Sequence, residues 1–163
     1  ITQHPLSHNV LSGNPVRLLC SASGTPPLSY QWFKDGVALP PTQNHPVHFI
    51  PSTTRSHSGT YWCAVTDANG TTISSNAIVQ VKAPQVISNV LFTNGQFVFT
   101  SSDSDGGTIT ESHLAKLDVL VSTNLLNWEV LTNSLSITNG TLRLLDPEAA
   151  NSQERFYRIR ENW

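Results

Sequence analysis

Apolar and polar residues alternate along most of this chain in short runs, with the period of two that sends successive side chains to opposite faces of a strand. In the first half, VRLLC (Val16 to Cys20) and TYWCAV (Thr60 to Val65) have this character. In the second half it marks VISNVLFT (Val86 to Thr93), QFVFTSS (Gln96 to Ser102), LDVLVST (Leu117 to Thr123), WEVLT (Trp128 to Thr132), LSIT (Leu135 to Thr138), TLRLLD (Thr141 to Asp146) and RFYRIRE (Arg155 to Glu161). Asn69-Gly70, Asn94-Gly95 and Asn139-Gly140 fall between such runs. Asn-Gly is the strongest short signal for a tight hairpin, because both turn residues then need positive φ. Helix is nearly absent, with one turn predicted over Pro147 to Asn151. The pattern predicts an all-β chain, and its second half has strands enough for a sandwich.

Composition agrees with short strands joined by turns. Charged residues make up 12% of the 163, with 10 Pro and 9 Gly. The net charge of −2 gives no general affinity for nucleic acid or acidic membranes. Residues 1–82 carry four bases against two acids, and residues 83–163 five against nine. No apolar run is long enough to insert in a bilayer. A chain without a starting Met or signal peptide reads as a mature or excised piece of an exported protein.

Cys20 and Cys63 are the only cysteines, both in apolar, strand-like contexts. Strands in facing sheets can bring such residues close enough to bond. A disulfide across a loop of this length is worth about 4 kcal/mol in the chain-entropy model, and it persists in an oxidising compartment. The alternative is a reactive thiol or metal pair, which would call for a Cys-x-x-Cys or a neighbouring His or basic cluster.

YQWFKDGVALP (Tyr30 to Pro40) and HSGTYWCAV (His57 to Val65) resemble strand C and the corner before strand F of an immunoglobulin domain of the I or C2 type, over residues 1–82. The resemblance implies that Trp32 packs on a Cys20–Cys63 disulfide and that the Tyr61 hydroxyl bonds to backbone upstream. His57 stands where that family has Asp, which removes the acid from an Asp–Arg pair with Arg55. The stretch from Leu39 to Phe49 is too short for the extra strands of a variable-type domain. STNLLNWEVL (Ser122 to Leu131) and TNGTLRLLDPEAANSQERFYRIR (Thr138 to Arg160) resemble a C-terminal repeat of large secreted bacterial surface proteins. That resemblance implies export and a fibronectin-like sandwich over residues 83–163. The expected architecture is therefore two tandem β-sandwiches, immunoglobulin-like then fibronectin-III-like, joined by a short linker that Pro84 stiffens.

Alternation sharpens the reading of individual residues. With Trp32, Tyr61 and Cys63 inward, Phe33 and Trp62 point outward. Strands C and F are neighbours in this fold, so the two aromatics form an exposed patch suited to a partner. Trp128 is the expected core anchor of the second half, and alternation faces Phe156 one way and Tyr157 with Ile159 the other. In DSDGG (Asp103 to Gly107), Asp103 and Asp105 with Glu111 offer oxygen ligands for calcium. His45 and His48, like His4 and His8, sit in extended segments where their spacing does not gather a metal site, and they read as surface histidines. Asp118 with Glu129, and Asp146 with Glu148, read as surface charge. No Gly-x-Ser-x-Gly or phosphate-binding Gly loop is present.

The function expected is extracellular, non-catalytic adhesion or structural work, with self-assembly into a fibre as one form of it. The partners are protein or polysaccharide at the cell surface. The alternative is a carbohydrate-binding module of a secreted polysaccharide-degrading enzyme, with Trp62, Phe33 or Trp163 as the sugar platform.

Overall fold

Cys20, Trp32, Tyr61 and Cys63 meet in one buried core. The computed structural model describes residues 1–40, 45–94, 96–132 and 134–162. The chain divides into two compact units, Ile1–Ala83 and Pro84–Trp163. Residues 41–44 fall within the Leu39–Phe49 stretch and lie, with Gly95, Asn133 and Trp163, outside the described residues.

The first unit holds strands β1 (His8–Leu11), β2 (Val16–Leu19), β3 (Ser29–Lys34), β4 (Val37–Ala38), β5 (Val47–Ile50), β6 (Gly59–Asp67), β7 (Gly70–Ile73) and β8 (Ala77–Lys82). One sheet runs β1-β8-β6-β3-β4, with β7 also on β6, and the other pairs β2 with β5. The N-terminal segment bridges Gln3 to Ser21, beside β2, and then crosses to lie parallel to β8 as β1. Every second residue turns inward. Val16 and Leu18 meet Trp32, Tyr61, Cys63, Val65 and Val79 in the space between the sheets.

The corner before β6 is a 3-10 turn over Arg55–His57. His57 does different work there from the Asp it replaces. Its Nδ1 accepts the Thr54 backbone N–H at 2.9 Å and lies 2.9 Å from Thr54 Oγ1, capping the turn. The His57 carbonyl accepts the Tyr61 hydroxyl at 2.9 Å. Arg55 is buried, and its Nη2 donates to the Ala83 carbonyl at 3.3 Å.

The Asn-Gly pairs differ from one another. Asn139 and Gly140, at φ 52° and 71°, form the expected turn between the strands Leu135–Thr138 and Thr141–Asp146. In the first hairpin Asp67 pairs with Gly70, so Ala68 and Asn69 form the loop and Gly70 already belongs to β7. Asn94 has φ 52°, and its partner Gly95 lies outside the described residues.

The second unit holds β9 (Gln85–Thr93), β10 (Gln96–Asp103), a one-turn helix α1 (Glu111–Leu114), β11 (Leu117–Ser122), β12 (Glu129–Val130), β13 (Leu135–Thr138), β14 (Thr141–Asp146), a 3-10 turn (Pro147–Asn151) and β15 (Phe156–Glu161). Its sheets run β13-β14-β10-β9 and β12-β11-β15. Phe99 and Leu144 from one sheet pack with Val119, Tyr157 and Ile159 from the other. Trp128 is not the core anchor expected. It is half-buried just before β12, with Nε1 donating to the Leu125 carbonyl at 3.1 Å and the Arg158 guanidinium 4.3 Å from its ring centre. The loop from Ser122 to Asn127, folded on its own hydrogen bonds, presents the indole to the β15 arginine on the sheet surface.

Candidate functional site

The antiparallel register of β3 and β6 sets Trp32 opposite Cys63 and Phe33 opposite Trp62. Alternation then separates the two pairs. Trp32 and Cys63 face the core with no exposure, while Phe33 and Trp62 lie half-buried on the outer face. Their rings stack with centroids 3.8 Å apart and planes within 7°. Across the same face, Ile78 pairs with Thr60 and Ile73 with Ala64, and both isoleucines are at least half exposed. Ala38 of β4 flanks Phe33. The residues that β3, β4, β6, β7 and β8 turn to this side are Ser, Gln, Thr, Ala, Ile, Phe and Trp, with the ionised Lys82 at the end of β8. Charge is met at the edge. There Lys34 Nζ lies 2.8 Å from Asp35, and that lysine, then the Thr60 N–H, holds the Asp35 carboxyl below its usual range.

Behind the aromatic pair the structure is fixed. Trp32 Nε1 donates to the His45 carbonyl at 3.0 Å. Burial pushes the Tyr61 hydroxyl up to about 12. His48 is buried rather than on the surface, its ring 5.7 Å from Tyr61 and 6.0 Å from Trp32. Burial, then the nearby His57, lowers its pKa. Cys20 and Cys63 are buried thiols in mutual contact. Burial raises both, Cys63 to about 12, which is the opposite of what a reactive thiol needs.

The calcium candidates do not converge. Asp103 is buried and takes the Gln85 side-chain amide. Asp105 accepts the Gly107 N–H at 2.9 Å in a local turn. Glu111 opens α1. Among the described residues no three His, Cys, Asp or Glu gather as metal ligands. The short spacing of DSDGG serves the turn itself.

Of the carboxylate pairs, Asp118 accepts Arg160 and Asn162 at the surface. Asp146, expected as surface charge, has no exposure; Arg155, Tyr157 and the Glu148 N–H converge on it. One signal could have found it. Arg155 is two residues from inward-facing Tyr157, so it shares that face, and a buried Arg requires an acid. Trp163, the third aromatic considered for a sugar platform, lies outside the described residues.

The leading unit is thus an immunoglobulin-like β-sandwich with a charge-poor, aromatic outer sheet face. Residues 1–81 match the family model described as "Immunoglobulin domain". The human mucosa-associated lymphoid tissue lymphoma translocation protein 1 is 35% identical over 65 residues, which are 40% of this chain and 8% of that protein. The neural cell adhesion molecule L1 of Takifugu rubripes is 27% identical over 100 residues, covering 53% of this chain and 8% of that one. The muscle M-line assembly protein unc-89 of Caenorhabditis elegans is 32% identical over 85 residues, 47% of this chain and 1% of that one. The chain therefore spans a small fraction of the curated relatives it matches. Among solved structures, immunoglobulin domains 1–4 of Sidekick-1 align with a TM-score of 0.53 at 19% identity, covering 88% of this chain and 38% of that one. Likeness at that identity concerns the fold.

Proposed function

We propose that this chain is part of an extracellular, non-catalytic adhesion or structural protein, and that its leading unit docks a protein partner through the face centred on Phe33 and Trp62. The observation that carries the reading is the coplanar ring pair on a sheet face whose ionised residue, Lys82, sits at the end of β8. Interface centres are depleted in charge and enriched in aromatics, and buried aromatic anchors supply most of the binding energy. Similarity of the first unit to adhesion and assembly proteins supports the same class of work.

The two sequence resemblances imply the finer structure of this protein. The immunoglobulin-like unit ends near residue 82, and the remainder is a fibronectin-like sandwich of a bacterial surface protein. Cys20 and Cys63 close a disulfide when the chain is made in an oxidising compartment; natively purified protein should then be lighter by a pair of hydrogens than the reduced form. Assembly into a fibre is one outcome of such docking.

The test is adhesion of beads coated with the chain to intact cells. Trp62→Ala should abolish it. Phe49→Ala, removing an aromatic that is 52% exposed on the other sheet, should not. Equal adhesion by both variants rules out this face. Retention on insoluble polysaccharide, lost in Trp62→Ala, would transfer the face to the carbohydrate-binding reading.

A further inference from the structure

Strand β9 is the edge of the sheet β13-β14-β10-β9 and, among the described residues, is in register with β10 alone. Its sequence, QVISNVLFT, contains no charge. Val86, Ile87, Val90, Leu91 and Phe92 are 50%, 44%, 56%, 59% and 63% exposed. Natural edges of this length carry Lys, Pro or a bulge that turns the strand away from other chains. Here there is an irregularity at Asn89, at φ 48°, and the Asn89 Nδ2 donates to Thr100 Oγ1 at 3.2 Å, tying it to its own sheet.

The exposure on the core-facing side is the unusual part. Ile87 pairs with Ser101 and Phe92 with Phe97. Ser101 is fully buried, and Phe97 stacks on Tyr157 of the opposite sheet with centroids 4.4 Å apart. Ile87 and Phe92 therefore point to the inside of the sandwich, yet remain open. The reason is layer width, since three strands face four. A groove of about 350 Å³, lined by Phe92, Phe97, Ala149, Arg155 and Tyr157 among others, opens there.

We infer that this edge pairs antiparallel with the same edge of a second copy about a two-fold axis. The spacing of its own residues selects that occupant. An axis between Asn89 and Val90 sets Ile87 opposite Phe92 of the second copy, and Phe92 opposite that copy's Ile87. Both contacts form on the core-facing side. On the other face Ser88 meets Leu91. An uncharged edge meets an uncharged edge, so no like charges are opposed, and backbone groups on either side of the Asn89 irregularity gain partners. The contact is isologous and closes at two copies. A strand of this length spans about 30 Å. It buries on the order of several hundred Å² per copy, at the low end of specific interfaces, so association belongs in the micromolar range or weaker.

Sedimentation equilibrium of the full chain from micromolar to millimolar concentration is the test. Wild type is expected as a monomer–dimer equilibrium. Leu91→Lys, with Ser88→Lys as a second edge variant, should weaken association at least about tenfold without lowering the melting temperature. Trp62→Ala should leave it unchanged, which separates this edge from the face in the leading unit. Hydrogen exchange should show residues 85–93 gaining protection as dimer forms. A wild type that stays monomeric at millimolar concentration overturns the inference, as does a dimer that both lysine variants leave intact. Protection of 85–93 already in the monomer also overturns it, because another part of the chain then covers the strand.

Discussion

Arg155 Nε lies 2.6 Å from Oδ2 of Asp146, a carboxylate with no solvent exposure. The Tyr157 hydroxyl donates to the same oxygen at 2.9 Å, and the Glu148 N–H to Oδ1 at 2.9 Å. Burial, then Asp146 itself, pushes the Tyr157 hydroxyl well above its usual range. Asp146 ends β14 and Tyr157 lies in β15, so the cluster joins the two sheets of the second unit. Removing one member of such a pair leaves the other charge uncompensated. Asp146→Ala is expected to cost about 3–5 kcal/mol in urea unfolding. A loss below about 1 kcal/mol, the size of an exposed ion pair, would show that the cluster does not hold the sheets.

The Phe33–Trp62 stack should be measurable as a coupling. Aromatic pairs contribute about 0.5–1.5 kcal/mol beyond their buried area. Urea unfolding of Phe33→Ala, Trp62→Ala and the double variant forms the cycle, and the double should lose less than the sum of the singles. Additive losses would mean that the rings do not act together in solution.

His48 makes the first unit sensitive to acid. Its folded pKa is lowered from 6.5, by burial first and then by His57. The unfolded chain therefore binds a proton before the folded one does. The contribution of His48 is fully present above about pH 6.5 and is lost as pH falls toward the lower folded value. Melting temperatures measured across this range should fall more steeply for wild type than for His48→Phe. Parallel slopes would remove His48 as the cause.

In the reduced protein, the thiols of Cys20 and Cys63 should resist alkylation at neutral pH and react only when denaturant opens the core. Burial raises both, and the thiolate is the reactive form. Rapid labelling of the folded reduced chain would contradict the buried geometry.

Local pattern carried much of this molecule. Period-two alternation located β13 at Leu135–Thr138 and β14 at Thr141–Asp146 without shift. It also set Trp32 and Phe33 on opposite sides, because a strand has only two, and the immunoglobulin resemblance turned Trp32 inward. Features set by alternation alone appear in the folded chain. Where a residue's neighbours across the fold mattered, alternation did not place it. Trp128 is expected in the core, but its loop delivers it to Arg158. His48 was assigned to the surface on type, but β5 carries it under Tyr61.

The sequence by itself determined which segments extend, where most chain reversals fall, and which aromatics share a side, since those depend on backbone period and on residues close in the chain. Tertiary structure decided the rest. It buried Asp146 by bringing Arg155 and Tyr157 onto it from another strand. It assigned the Asp103 and Asp105 carboxylates to local bonds instead of a metal. It left β9 open because one sheet of the second unit is narrower than the other. Each depends on which strands become neighbours, a long-range choice set by the summed burial of whole sheet faces, and no local spacing encodes it.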